Sequence, residues 1–240
     1  MAKTAESARK SVQSRRPVGR PRGDGKPHLT RERVFAVSAR LIAQHGFAGT
    51  SIRMIARELN ASPASLFHLF ESKTALLNGL IAYAASPSLA FYAQMVDLDA
   101  PPDVALYKSI YEEVRAVASA DRDHAALFYL PEIWQADFAA ARQVRTDMVT
   151  HYHGLIARGC AAGLLQAPHV SLAAEQVFQL TETSILAGDM ASTLSPDEQA
   201  VAAADFSLRG LLADSVRLED IRGQAARISL QIELPALARD

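Results

Sequence analysis

Residues Ser51 to Lys73 read SIRMIARELNASPASLFHLFESK. Two short helical patterns lie here, broken after about two turns by Leu59-Asn60-Ala61-Ser62-Pro63. Ile55, Leu59, Ala61, Leu66 and Leu69 fall where two helices crossing at a steep angle would face each other. Ala56 supplies a small residue at the crossing. Asn60 suits a turn that needs positive φ, because its short polar side chain tolerates the left-handed region. Ser62 is a predicted N-cap, with Pro63 at the first helical position. Together these features predict a helix-turn-helix. Pro63, Ala64, Ser65, Phe67 and His68 are left facing outward or partly so. Short residues at that helix start would let the backbone approach a major groove closely, with its N–H groups toward phosphate.

The flanks extend this reading. Thr30 is a predicted N-cap for a helix to about Gln44, with Phe35, Ala39 and Ile42 on one face. His45-Gly46 ends it, and Thr50 is read as the cap of the first short helix. Residues 1–80 carry 14 Lys/Arg and 5 Asp/Glu, while residues 81–240 carry 11 and 21. A basic head for a polyanion and a body with another job follow from that split. Residues 1–28 have almost nothing to bury and are expected to form a disordered basic arm. Within it, Gly19-Arg20-Pro21-Arg22 resembles the core of an AT-hook; Arg20 and Arg22 would fit a narrow minor groove.

The stretch Leu29 to Leu80 resembles the DNA-binding head of the TetR family of bacterial transcriptional regulators. The resemblance is carried by His45-Gly46-Phe47, Thr50-Ser51, Ile55-Ala56, Ser62-Pro63, Phe67-His68-Leu69-Phe70 and Ser72-Lys73. It implies an all-α homodimer with a three-helix head and a larger helical body that binds a small molecule. The last two long helices would pair with those of the partner. It also implies that Thr50, Arg53 and residues Ser62, Pro63, Ala64, Ser65, Phe67 and His68 face DNA, and that Lys73 meets a phosphate. Two positions depart from the family pattern. Asn60 stands where Gly is usual, and Phe67 where Tyr is commoner, which puts one phosphate contact in doubt.

After Lys73 everything reads helical. Thr74 to Val96 has no charge, but Pro87 and several polar residues favour a buried, interrupted helix over a membrane span. Further helices are expected to about Ser119, from about Asp121 to Leu130, over Asp137–Ala162, over Ser171–Ala187 and from the Ser195-Pro196-Asp197-Glu198 start signal to about Ala213. Val177, Leu180, Ser184 and Ala187, with Val201, Ala204, Leu208 and Leu211, are read as pairing stripes for the homodimer. Ile228 to Leu234 alternates and reads as either a short strand or an extended tail. The organisation is thus 1–28 arm, 29–74 head, 75–215 ligand-binding and dimerisation body, and 216–240 extension.

No catalytic constellation is present in the sequence: no glycine-rich phosphate loop, no G-x-S-x-G and no CxxC. His151 and His153 are two apart, which puts them on different helix faces, so no metal site is expected. Cys160, the single cysteine, reads as a small packing residue and admits no intrachain disulfide. No apolar run follows the basic N-terminus, so a cytoplasmic protein without a signal peptide is expected. Aromatic residues concentrate in the body, and Tyr111, Phe128, Trp134, Tyr152 and Phe178 are the candidate ligand contacts. The main expected site is Phe128-Tyr129, Trp134 and Tyr152, with Tyr107 and Tyr111 as the alternative location. The reading is a repressor, without cofactor, that binds a pseudo-palindromic double-stranded operator and is released by a largely apolar small molecule. Its rival is a helical small-molecule-binding or enzymatic protein with only non-specific DNA association.

Overall fold

The computed structural model describes residues 29–120, 127, 130–182 and 193–234, and only the backbone of residues 133, 134 and 136. Nine α-helices and no strand lie among the described residues. The head comprises α1 (Arg31–Gly49), α2 (Ile52–Glu58) and α3 (Pro63–Phe67). The body follows with α4 (Lys73–Asp97), α5 (Pro102–Ser119), α6 (Ala139–Ala161), α7 (Val170–Thr181), α8 (Pro196–Leu211) and α9 (Leu218–Ala226). The expected arm, including Arg20 and Arg22, lies outside the described residues. So do Phe128, Tyr129 and most of the helix expected from Asp121 to Leu130.

Local chemistry explains the head. Thr30 caps α1 by accepting from the Arg33 N–H, and Gly46 breaks its regular geometry at φ 71° and ψ 165°. Asn60 takes φ 51° at the end of α2. There the Asn60 N–H donates to the Arg57 carbonyl and the Ala61 N–H to the Ala56 carbonyl at 2.9 Å, which closes α2 with the double bond of a Schellman motif. Ser62 then accepts from the Ser65 N–H at 3.1 Å, starting α3. Ile55, Ala56, Leu59 and Leu66 are buried with Phe35, Ile42, Phe70 and Leu76 in one head core.

One cap differs from expectation. Ser51, not Thr50, caps α2, accepting from the Met54 N–H at 3.2 Å. The Thr50 side chain is turned inward, its hydroxyl 2.9 Å from the Gly46 carbonyl and 3.1 Å from that of Leu41. The Thr50 hydroxyl thus ties together two carbonyls of α1 on either side of the last regular turn before the Gly46 break.

Pro87 does not interrupt α4, contrary to the sequence reading; the helix is continuous over 25 residues. Proline removes the N–H that would bond the carbonyl four residues back, that of Tyr83. The Ser86 hydroxyl donates to that same carbonyl at 2.8 Å and replaces the missing bond. By length and composition α4 could cross a membrane, but Leu76, Leu77, Leu80, Ile81, Phe91, Tyr92 and Met95 are buried inside the protein.

The centre of the body is α5, buried on most of its circumference. Helices α6, α8 and α9 pack around it. Ala200, Ala204, Ser207 and Leu208 of α8 are buried within this chain. This corrects the expected pairing stripe: the small residues of α8 serve close approach to α5 of the same chain. On α7, Val177 is likewise buried. The apolar residues exposed on these helices are Leu172 at 55%, Val201 at 39% and Phe206 at 67%. Ser184 and Ala187 lie outside the described residues. The capping box at Ser195 and Glu198 is present as expected.

The extension beyond residue 215 is bound to the body. Arg217 pairs with the buried Asp103 at 2.8 Å, and Arg222 pairs with Asp205. Ile228 to Leu234 is extended with no ladder partner among the described residues, so the tail reading holds over the strand. Ile232 is buried; its N–H donates to the Glu112 carboxylate at 3.2 Å.

Candidate DNA-binding face and effector site

The outer face of the head presents Arg53, Ser62, Pro63, Ala64, Phe67 and His68, all exposed, with Ser65 half-buried beside them. Phe67 is 53% exposed, a large apolar ring standing in solvent on the second helix of a helix-turn-helix. Ser62 and Ser65 hydroxyls share a hydrogen bond at 2.8 Å, which fixes the start of α3. This surface brings together every head residue expected on DNA except Thr50, which is buried, and Lys73.

Lys73, the expected phosphate contact, bonds the backbone of the head. Its ammonium donates to the carbonyls of Phe47 at 2.7 Å and Thr50 at 2.9 Å, and sits 4.2 Å from the centroid of the Phe47 ring. A lysine has three N–H donors, so two are committed to closing the end of α1. The reason lies in the Gly46 break, which leaves carbonyls that a cation can satisfy.

The body contains a buried polar cluster of which the sequence pattern points to one member only. The Glu113 carboxylate accepts from the Tyr92 hydroxyl at 2.7 Å and from the Ser88 hydroxyl at 3.1 Å. The Tyr92 and Tyr152 hydroxyls are 3.2 Å apart. His151 stacks on the Tyr92 ring, centroids 4.0 Å apart and planes within 8°, and its Nε2 is 2.9 Å from the Ser109 hydroxyl. Three helices thus contribute: α4, α5 and α6.

Burial governs the protonation of this cluster. It pushes the Glu113 carboxyl above its ordinary value, against the lowering effect of the two hydroxyl donors. Burial and the neighbouring Glu113 hold the Tyr92 and Tyr152 phenols firmly protonated. Burial, helped by the Arg158 charge, brings His151 down to about 4, so its imidazole is neutral at pH 7.

Of the expected ligand contacts whose side chains are described, Tyr152 alone is a member of this cluster. Phe178 is a buried core residue with the Arg145 guanidinium 5.0 Å from its ring centroid. Tyr111 and Tyr107 clasp α5 to α8: their hydroxyls donate to Asp197 at 2.6 Å and Asp205 at 3.2 Å. Burial first, and then those carboxylates, push both phenols up to about 12. Trp134 lies in a 3-10 turn, Pro131–Trp134, just ahead of α6. Tyr152 is 13 residues into α6, roughly 20 Å along it at the helical rise. The expected grouping of Trp134 with Tyr152 rests on side chains of which Trp134's lies outside the described residues. Phe138, beside that turn, packs with Leu127 and Leu130 on the head core.

Glu113, Ser88, Tyr92 and His151 are absent from the sequence-based candidates, although one signal for them exists. Leu106, Ile110 and Glu113 recur at i, i+4 and i+7, so Glu113 occupies an apolar-stripe position of α5. A carboxylate at such a position is buried, and burial demands partners. Among the described residues no group of three His, Cys, Asp or Glu is placed to hold a metal ion.

Residues 34–80 match the profile of "Bacterial regulatory proteins, tetR family". The head is that of the TetR family. No match was found among curated protein sequences. Among solved structures, AmtR of Mycobacterium smegmatis is 27% identical, with a TM-score of 0.66, over 90% of this chain and 100% of that one. FadR of Bacillus subtilis, solved with stearoyl-CoA, is 14% identical, with a TM-score of 0.65, over 75% of this chain and 99% of that one. AibR, solved with isovaleryl coenzyme A and operator DNA, is 17% identical, with a TM-score of 0.64, over 74% of this chain and 97% of that one. The fold beyond the TetR head is therefore also that of TetR-family transcriptional regulators.

Proposed function

We propose that the protein is a homodimeric repressor that binds a pseudo-palindromic operator and is released by a small molecule held in the body. The observation that carries this reading is the path of α4 and α6. Each touches the head at one end and supplies Glu113's surroundings at the other. On α4, Lys73 holds the end of α1, while Ser88 and Tyr92 bond Glu113. On the α6 side, Phe138 packs in the head core, while His151 and Tyr152 join the cluster. A ligand that rearranges the cluster therefore moves two elements that also position the recognition surface.

Arg53, Ser62, Pro63, Ala64, Ser65, Phe67 and His68 form the DNA contact surface, with Arg20 and Arg22 reaching the adjacent minor groove. Partner chains pair through α7 and α8, on the face that exposes Leu172, Val201 and Phe206. The stearoyl-CoA of the FadR structure and the isovaleryl coenzyme A and operator of the AibR structure support a regulator that couples a small molecule to DNA. Coupling of this kind is worth ~1–3 kcal/mol and is reciprocal, each ligand weakening the other by the same factor.

The test is selection of bound sequences from random DNA, followed by footprinting on the winners. A discrete palindromic footprint is expected. Uniform, salt-sensitive coverage would instead favour a body with another task and only non-specific DNA association. Mass spectrometry of small molecules that co-purify, each then tested for release of the footprint, identifies the effector.

A further inference from the structure

Three acids on α5 are buried: Asp103, Glu112 and Glu113. Two of them have cations. Glu112 pairs with Lys108 at 2.8 Å and Arg115 at 2.6 Å, and Asp103 with Arg217 at 2.8 Å. Among the described residues, Glu113 has only the hydroxyls of Ser88 and Tyr92. Stripping a carboxylate of water costs several kcal/mol, and a hydroxyl offsets less of this than a cation does. Two of the three buried acids of this helix thus meet positive charge, and the third meets none among the described residues.

We propose that Glu113 anchors the positive group of the effector, a primary or secondary amine with an apolar remainder. This rests on the reading that the body holds the effector, and it names that effector's class. A protonated amine has two or three N–H donors. The Glu113 carboxylate takes one, and the paired phenol oxygens of Tyr92 and Tyr152, 3.2 Å apart, offer acceptors for the others. His151 beside them is neutral and brings no competing charge. The surrounding core, with Phe91, Met95 and Phe178, suits an alkyl or aryl remainder. A carboxylate or phosphate group placed here would face a buried acid with no cation, so anionic head groups are disfavoured at this spot.

Room for the amine comes from α4. Ser88 follows Pro87, where the backbone ladder lacks one N–H and a side-chain hydroxyl substitutes for it. A helix bends most readily at such a point. An amine that displaces the Ser88 and Tyr92 hydroxyls from Glu113 therefore shifts the body end of a helix whose other end holds the head.

The experiment uses the full chain and three probes of equal length: hexylamine, hexanol and hexanoate, at pH 7.5. Melting temperature and operator affinity, by fluorescence anisotropy on the selected DNA, are read with and without each probe. Hexylamine is expected to raise the melting temperature and weaken operator binding at concentrations at least tenfold below those at which hexanol or hexanoate act. Glu113→Gln should reduce this response to hexylamine at least tenfold, each variant being compared with itself without amine. Ser88→Ala keeps the carboxyl and removes one competing donor, so it should respond to hexylamine at least as well as wild type. Equal responses to hexylamine and hexanol, or no response to hexylamine at millimolar levels, would overturn the assignment; so would an unchanged response in Glu113→Gln or an abolished one in Ser88→Ala. If hexanol or hexanoate releases the DNA while Glu113→Gln changes nothing, the amine assignment fails and the effector reading stands. If neither these probes nor any co-purifying compound releases the DNA, the effector reading itself fails and takes the amine with it.

Discussion

The ring of Phe47, in the last turn of α1, meets the ring of Phe138, just ahead of α6, edge-on, with centroids 5.4 Å apart and planes at 82°. One residue belongs to the head and the other opens a helix of the body. The contact is reinforced nearby by Asn78 on α4, whose side-chain amide donates to the Asp137 carbonyl at 3.0 Å. Phe138 is buried, so Phe138→Ala should destabilise the protein by about 3–5 kcal/mol. The edge-on pair should appear as a coupling of ~0.5–1.5 kcal/mol between Phe47→Ala and Phe138→Ala in urea denaturation. Strict additivity would mean that the rings are neighbours without being partners, and that the head and α6 are joined elsewhere.

Lys73 offers a second separation of roles. With two donors committed to the Phe47 and Thr50 carbonyls, Lys73→Met should lower stability by ~1–2 kcal/mol, as removal of partly exposed charge-assisted bonds does. The salt dependence of operator binding should stay nearly unchanged. A fall of about one unit in that slope would show instead that Lys73 reaches a phosphate in the complex.

The head is legible in the sequence because its determinants are local. Asn60, Ser62, Pro63 and Gly46 act through backbone geometry and single caps, which spacing alone reveals. The surroundings of the body's side chains are not legible in this way, because they depend on which helix covers which. Tyr111 has the look of a pocket residue, yet its hydroxyl is taken by Asp197 of α8, a partner 86 positions away. The same limit hides the fate of Ala204 and Leu208. A stripe of small residues promises close packing against some helix, and only the assembled body shows that α5 of the same chain is the one. The bonds of Lys73 are hidden in the same way: the resemblance implies a phosphate contact, while the carbonyls of Phe47 and Thr50 that it bonds come near it only in the assembled head.

The basic arm predicts a salt effect. Residues 1–33 carry ten Lys/Arg and three acids. Deleting residues 1–28 should weaken operator binding and flatten its salt dependence, by about one unit of slope for each phosphate that is no longer neutralised. The preferred half-site should not change, because register is set by the head. An unchanged slope would show that the arm does not touch DNA.

The exposed apolar residues of α7 and α8 predict assembly. Phe206 is 67% exposed and Leu172 55%, which is costly for a chain with nothing to cover them. Phe206→Glu should give a folded monomer by light scattering, with helical circular dichroism retained and operator affinity much reduced. A dimer that survives this change uses another face.

Glu113 predicts a pH dependence whose sign can be fixed. Burial raises its carboxyl above the ordinary 4.5, so between 4.5 and the raised value the folded chain binds more protons at this group than the unfolded chain. Stability contributed by the neutral acid is then complete below about pH 4.5 and is lost as pH rises through the folded value. His151, stacked on the Tyr92 ring, works in the opposite direction. Its value falls from 6.5 to about 4, so the unfolded chain binds more protons in that window and stability grows as pH rises through it. The phenols of Tyr92 and Tyr152 stay protonated throughout. The ion pairs around Glu112 are common to wild type and to a Glu113 variant, so they cancel in a difference. Glu113→Gln keeps the shape and cannot ionise, and it exchanges one of the two acceptor oxygens for an NH2 donor at every pH alike. Its stability relative to wild type, from urea denaturation at pH 4.5, 6.0 and 7.5, should therefore rise with pH and then level off above the raised value. A difference that is the same at all three pH values would mean that the carboxyl titrates alike in the folded and unfolded chain, and the account of Glu113 as a buried acid without a counter-charge would fall with it.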